Sequence, residues 1–500
     1  MMKKNKRMRR RAIRLTVCFV LMLLCAGFTS PLYPHYIGLD TSMFLTIAKG
    51  IANGKIPYID LFDHKGPVFF WIYAVGYIFG GRTGVFVLQC LLLFADLLLL
   101  ERIGNLFHTQ ANRLIPTFLA LFFFMFEHGG LTEEFSMPLI LAGMYCQLRF
   151  LMSGEEKHGP GTAFFYGLLL GLLSFIRLNN AVILCALLLC IMIILIQKRQ
   201  WKNLLLNLLC GLLGMAVVAV PVCLYYYAHG GLYDMLYGTF LHNLVYAKNN
   251  THYPILSSSF LYFLVLFLPA FYTVGIFWKK WRSERNRTYA SLLFAAVLTY
   301  AMLAYTNVYL HYFMLGIPLV ITAAAADGGI SLTSLRERVV GRAKSRESRT
   351  AGRIKLSLMA LTGITAIYML LSVLSACAPV YKTYLSDIAL REYKQVWEGI
   401  SVIPEEERDS VIAYDVLANF YYHADIVPCY RYFTLQRWMT TEKVNVNLEF
   451  MRFVAYEHPL WVVIPTGEEN QTIHKILDAY YTCKWSDEIY SCYRYQEDQS

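Results

Sequence analysis

The sequence predicts a polytopic α-helical membrane protein of about 11 transmembrane helices, followed by a small C-terminal extracytoplasmic α/β domain. Three observations predict it. The 500-residue chain is 57% hydrophobic and only 16% charged, a balance foreign to soluble enzymes of this length. Apolar runs of helical length recur as far as residue 380. Beyond it the hydropathy falls, and short apolar runs alternate with helical patterns.

The first helix begins behind a basic N-terminus that holds Lys3, Lys4, Lys6, Arg7, Arg9, Arg10, Arg11 and Arg14. Cys25-Ala26-Gly27 would suit a signal-peptide cleavage site. However, Leu15–Leu39 carries no Lys, Arg, Asp or Glu and outlasts a signal peptide's apolar core, and Leu24 stands where lipoprotein processing wants a small residue. The segment is therefore expected to remain as a helix with its basic end in the cytoplasm.

Spans are expected at 12–30, 83–101, 113–127, 134–151, 162–177, 180–197, 203–228, 257–278, 289–305, 308–326 and 356–379. This path puts Lys198–Lys202, Lys279–Arg287 and Arg336–Lys355 in the cytoplasm, as the positive-inside rule requires. Segments 31–82, 128–133, 229–256 and the tail lie outside. The net charge of +11 is then topological, and no nucleic-acid partner is expected. Val68–Phe79 lies between Gly66-Pro67 and Gly80-Gly81 and is too short to cross. It reads as an interfacial or re-entrant helix against the outer leaflet, with Trp71, Tyr73 and Tyr77 at headgroup depth. The pattern divides into a transmembrane domain at 1–380, with its first outer loop at 31–82, and a domain at 381–500. In the latter, strands at Ser410–Tyr414 and Leu460–Pro465 alternate with helices at Ile388–Gly399 and Gln471–Tyr481, and no spacing of its charges points to chemistry.

Nine of the twelve cysteines fall in apolar runs and read as small hydrophobes. Cys429, Cys483 and Cys492 lie in the tail. Cys483 and Cys492 could bridge adjacent strands or remain free thiols.

The polar residues that stand out gather on the outer side. Asp40 is in the first loop, followed by His64 and Lys65. Glu133 and Glu134 open the fourth span, Arg177 ends the fifth, and His311 lies at the start of the tenth. Ionisable groups beside hydrocarbon are costly and point to a site. Carboxylates facing fixed cations suit a reaction that deprotonates a hydroxyl while an anionic phosphate departs. Each residue also has a plainer reading. Asp40 could cap the helix Thr41–Ala52, Lys65 could snorkel, and Glu133 and Glu134 could serve the helix dipole. Arg177 could be a topological anchor and His311 a packed side chain. Asp96 and Glu101, further down the second span, read as structural.

A first-loop Asp at the end of helix one is followed by G-x-x-P-Y-x-D-x-x-x-x-K-x-P, here Gly54, Pro57, Tyr58, Asp60, Lys65 and Pro67, and then by the aromatic short helix. With Glu133-Glu134, Arg177 and the aromatic stretch Tyr309–Pro318, this order resembles the GT-C glycosyltransferases over residues 12–330. The nearest branch is that of protein mannosyltransferases and lipid A aminoarabinose transferases. The resemblance implies a GT-C-like fold in a bacterial plasma membrane and transfer of a sugar from a polyprenyl-phosphate donor on the outer face. The acceptor would be an envelope lipid, glycan or protein. Asp40, with Glu133 and Glu134, would be catalytic, and Lys65, Arg177 and His64 would bind the donor phosphate. Tyr58, Asp60, Asp63 and His311 are further candidates. Many relatives follow the first-loop Asp with Glu, whereas Thr41 and Ser42 stand here. The resemblance therefore leaves a divalent cation open as cofactor and requires none. A lipid or glycan transporter, a polysaccharide polymerase and an assembly scaffold are the rival classes.

Overall fold

The computed structural model describes residues 19–249, 260–305, 309–328, 380–434 and 445–496. The basic N-terminus, the loop Arg336–Lys355 and the expected span 356–379 lie outside them.

Helix α1 (19–26) leads through an irregular stretch to α2 (Leu39–Ala52). Then come α3 (Pro67–Leu106), α4 (Ala111–Met125), α5 (Thr132–Ser153), α6 (Pro160–Arg177), α7 (Val182–Gln197) and α8 (Trp201–Ala228). Short helices α9 (Leu232–Leu236) and α10 (His242–Asn249) precede α11 (Phe260–Glu284), α12 (Arg287–Tyr305) and α13 (Ile317–Ala326). Among the described residues, five helical stretches are long and apolar enough to cross a membrane: Pro67–Leu106, Thr132–Ser153, Pro160–Gln197, Trp201–Ala228 and Arg287–Tyr305. The protein is a membrane protein.

Two of these stretches are interrupted where the sequence marks them. Gly80 and Gly81 have non-helical backbone, the latter at φ 58°, so Pro67–Phe79 is a separate short helix. It folds back so closely that a Cβ on Gly84 would sit 1.9 Å from the Gly76 carbonyl oxygen. The expected short helix is present, and its Tyr73 faces the protein interior. It is fully buried, and its hydroxyl donates to the Gly130 carbonyl at 2.5 Å. The reason is packing: Tyr73 belongs to an aromatic block with Phe44, Phe69 and Phe70, all 0% exposed. The second break is at Arg177, whose backbone is extended, followed by a tight turn at Leu178–Ala181. Lys198, just past α7, reaches Glu156, just before α6, at 3.7 Å, so α6 and α7 form an antiparallel hairpin.

After a short π-turn at Tyr381–Leu385, the C-terminal residues form α14 (Ile388–Ile400), α15 (Asn419–Ala424), α16 (Val446–Tyr456) and α17 (Gln471–Tyr480) around a four-stranded sheet. Its strands are β1 (Val411–Ala413), β2 (Trp461–Pro465), β3 (Tyr481–Ser486) and β4 (Tyr490–Tyr495), in the order β1-β2-β4-β3. β1 and β2 are parallel and the other pairs antiparallel. Cys483 faces Tyr493 across the ladder while Cys492, the next residue along from Tyr493, faces Trp485, so the two cysteines are not cross-strand partners and both thiols are free.

This sheet is not an appendage. Phe44, Phe69 and Phe70 share one continuous buried cluster with Val411, Phe420 and Val462. Lys49 donates to the carbonyl and carboxylate of Asp425 at 2.5 Å, and Arg431 meets Asp234 at 3.1 Å. Such partly exposed pairs contribute about 1 kcal/mol or less each, against about 1.5–3 kcal/mol for each fully buried apolar side chain. The shared core therefore holds the sheet against α2 and its loop.

Candidate functional site

A cavity of about 680 Å³ lies at the end of the bundle where α2, α5, α6 and the C-terminal unit meet. Asp40, Lys65, His64, Glu133, Arg177 and His311 all line it. These residues are scattered over 270 positions of sequence, and local structure explains how each arrives.

Asp40 stands in the first turn of α2, where the helix dipole favours a carboxylate. It is not the N-cap. That position is Gly38, and no side chain caps this helix. Among the described residues the Asp40 carboxylate has no hydrogen-bond or ion-pair partner. Thr41 donates to the Gly129 carbonyl and ties the start of α2 to the second loop.

Lys65 is positioned from three sides. Its Nζ lies 3.2 Å from His64 Nε2, 3.9 Å from Asp63 and 5.5 Å from the Phe44 ring centre. Burial, reinforced by the Lys65 ammonium, pushes His64 down to about 4, so the imidazole is neutral near pH 7 and accepts from Lys65. Burial would raise the Asp63 carboxyl, but Lys65 and His64 outweigh it and hold Asp63 well below the usual carboxylate range. Asp63 also accepts the Lys65 backbone N–H at 2.9 Å.

Arg177 comes to the same place because its neighbours interlock with Gly66. The Gly66 N–H donates to the Ile176 carbonyl at 3.0 Å, and a Cβ on Gly66 would sit 2.0 Å from the Phe175 carbonyl oxygen. No side chain fits between them, so Lys65 and Arg177 are held side by side by backbone. The guanidinium pairs with Glu133 at 2.7 Å and lies 4.2 Å from the centre of the Tyr312 ring. Thr132 donates to the other Glu133 oxygen at 2.9 Å.

The remaining sequence candidates fall outside the cavity lining. Glu134 turns away from its neighbour and accepts from Gln89 at 2.9 and 3.1 Å and from the Gly130 N–H at 2.8 Å. Asp60 closes a turn by accepting from the Ile56 N–H at 2.7 Å. Tyr58 adopts φ 69° and donates from its hydroxyl to the Lys65 carbonyl at 2.5 Å. Asp63 is fully buried behind Lys65. Tyr58, Asp60 and Asp63 shape the loop that presents Lys65.

Two lining carboxylates escaped the sequence reading. Glu127, at φ 43°, accepts from the backbone N–H groups of Leu310 and His311 and pairs with the His311 ring. Asp415, at φ 49°, comes with Val416–Ala418 and Thr434 from the C-terminal unit, where no chemistry was expected. A carboxylate followed by no motif gives no local signal, and only the docking of the sheet brings Asp415 to the cavity. Among the described residues no three His, Cys, Asp or Glu side chains cluster as metal ligands.

The structure is similar to ArnT from Cupriavidus metallidurans bound to undecaprenyl phosphate, with a TM-score of 0.55 and 14% identity over 96% of this chain and 97% of that one. It is also similar to the archaeal oligosaccharyltransferase AglB from Archaeoglobus fulgidus in complex with an inhibitory peptide and a dolichol-phosphate. Here the TM-score is 0.52 and the identity 12%, over 98% of this chain and 75% of that one. The chain thus shares the fold of these two structures. No curated protein matches the sequence. Residues 2–387 match the family described as competence-induced protein Ccs4 N-terminal domain, and the chain belongs to that family.

Proposed function

We propose that this protein transfers a sugar from a polyprenyl-phosphate donor to an envelope lipid, glycan or protein on the outer face of a bacterial plasma membrane. The observation that carries the reading is one cavity lined by an unpartnered carboxylate, Asp40, and by two fixed cations, Lys65 and Arg177. The similar ArnT and AglB structures hold polyprenyl-type phosphates, which supports the choice of donor. Exposed Tyr227, Tyr233 and Tyr305 at the same end of the bundle suit the aromatic belt of a membrane interface. The expected succession of spans leaves the short helix uncounted. That count keeps the N-terminus and the basic loops in the cytoplasm and the sheet outside.

The acceptor hydroxyl oxygen attacks the anomeric carbon and the bond from that carbon to the phosphate oxygen breaks, its electron pair leaving with the phosphate. Asp40 takes the hydroxyl proton as it becomes acidic in the transition state. Displacement in one step inverts the anomeric centre, through an oxocarbenium-like state. The phosphate changes from a singly charged diester to a monoester bearing more charge, so Lys65 and Arg177 interact most strongly with the departing group. Neutral His64 keeps Lys65 in place without adding charge, whereas anionic Glu133 holds Arg177 through their ion pair. Glu134 acts indirectly, by holding the Gly129–Gly130 loop against α2.

The test is sugar transfer from a synthetic polyprenyl-phosphate hexose by the purified full-length chain, using extracted envelope material as acceptor. Transfer that depends on the lipid phosphate and weakens in Lys65→Ala, with a raised KM for donor, is the expected result. Transfer from a nucleotide sugar but not from the lipid donor would overturn the proposal.

A further inference from the structure

Helices α6 and α8 meet through glycine. A Cβ on Gly167 would sit 1.8 Å from the Gly211 carbonyl oxygen, and one on Gly214 would sit 2.0 Å from that of Phe164. Small residues let membrane helices approach this closely. α7 does not follow the pair, because it packs chiefly on α12 and α5. The divergence leaves a second cleft, of about 220 Å³, between α6, α7 and α8, at the end of the bundle away from the first cavity. Its walls are apolar, with Leu170, Leu188, Met192, Leu195, Leu208 and Leu212 among them. Leu208 and Leu212 are 40% and 64% exposed, so the cleft opens on the outside of the bundle.

The polar end of the cleft is already satisfied. His158 Nδ1 lies 2.6 Å from Asn207 Oδ1, and the Asn207 amide donates to the His158 carbonyl at 3.1 Å. With those groups paired and the walls apolar, the cleft suits a hydrocarbon chain. The rim is charged. Lys157 adjoins His158, Lys198 and Arg199 follow Leu195, and Lys202 precedes Leu204, all four exposed. Glu155 and Glu156 precede Lys157 in the same loop and oppose them. The Glu156–Lys198 pair is more than half exposed at its acidic end and weak. Trp201, also exposed, lies at the same level and suits a headgroup region.

We infer that this cleft binds an anionic phospholipid, with one acyl chain between α6, α7 and α8 and its phosphate against Lys198, Arg199 and Lys202. The chain fills a wedge that the helices cannot close, and the headgroup meets the excess of cations. This site is independent of the transferase reading, since it needs only a bundle embedded in a bilayer.

The experiment is native mass spectrometry of the full-length chain in detergent, with dioleoyl phosphatidylglycerol or dioleoyl phosphatidylcholine added. Preferential retention of phosphatidylglycerol is expected. One cation beside an anionic lipid is worth about a factor of five, so K198Q/K202Q should weaken that retention by about 25-fold. Met192→Trp should fill the cleft and expel the lipid. Leu188→Phe, which adds less volume, serves if the tryptophan variant does not fold. Equal retention of the two lipids, or retention unchanged by both the charge and the filling variants, would overturn the site.

Discussion

Gly66→Ala places one methyl group between the two backbone segments that carry Lys65 and Arg177. The native backbone at Gly66 is extended, at φ −76° and ψ 153°, so alanine meets no conformational penalty there. The whole effect is steric. The added carbon would lie 2.0 Å from the Phe175 oxygen and 2.9 Å from its Cα, both backbone atoms that no rotamer change can move. Relief needs a displacement of about 1 Å, which also stretches the hydrogen bond from Gly66 to Ile176. Overpacking of this kind costs about 1–3 kcal/mol of stability. Misplacement by about 1 Å in a preorganised site costs on the order of 100-fold in rate. The assay is transfer from the lipid-phosphate donor, with thermal unfolding measured on the same preparation. Gly161→Ala, whose Cβ would meet nothing within 4 Å, is the control and should match wild type. A Gly66→Ala protein with wild-type kcat and Tm would refute the claim that this contact sets the spacing of the two cations.

Other predictions concern support, acid sensitivity and orientation. Glu134→Ala leaves Gln89 and the Gly130 N–H without their acceptor, at about 1–3 kcal/mol for each buried group, so its Tm should fall more than that of Glu133→Gln; an equal fall would contradict the separate roles. His423 is buried between the C-terminal unit and the first loop, and burial, with His35 and Arg82 nearby, pushes it down to about 4. The unfolded chain takes up this proton near pH 6.5 and the folded chain only near 4, so acidification across that window favours unfolding by up to about 1.4 kcal/mol per pH unit. Tm should therefore decline less steeply in His423→Gln than in wild type between those pH values, and parallel declines would count against it. A cysteine at exposed Lys55 should react with an impermeant reagent from outside the cell while one at Glu156 should not, and the reverse pattern would invert the topology.

The two breaks in long apolar runs were legible because glycine and charge punctuate hydrophobicity: Gly80-Gly81 ends the short helix, and Arg177 with Asn179 and Asn180 turns the hairpin. The strands beginning near Ser410 and Leu460 were legible by the same contrast. Side-chain direction was not. Glu133 and Glu134 are adjacent and chemically equivalent, and only their different partners, Arg177 for one and Gln89 for the other, separate cavity from scaffold. Tyr58 and Asp60 belong to the motif yet shape a turn, because a motif records which residues a loop needs and not which of them face the ligand. Asp415 was invisible for a different reason: its place depends on a core shared by segments more than 300 residues apart.

The most direct test of the central claim is the transfer rate of Asp40→Asn. The substitution keeps the side chain's size, breaks no ion pair and leaves the Gly38 start of α2 untouched. Its cost to stability is the loss of a favourable dipole contact, about 0.3–1 kcal/mol. If Asp40 is the base, a normally folded Asp40→Asn protein should turn over slower by on the order of 100-fold or more, with donor affinity retained through Lys65 and Arg177. A folded protein that binds donor and transfers sugar at the wild-type rate would contradict the account.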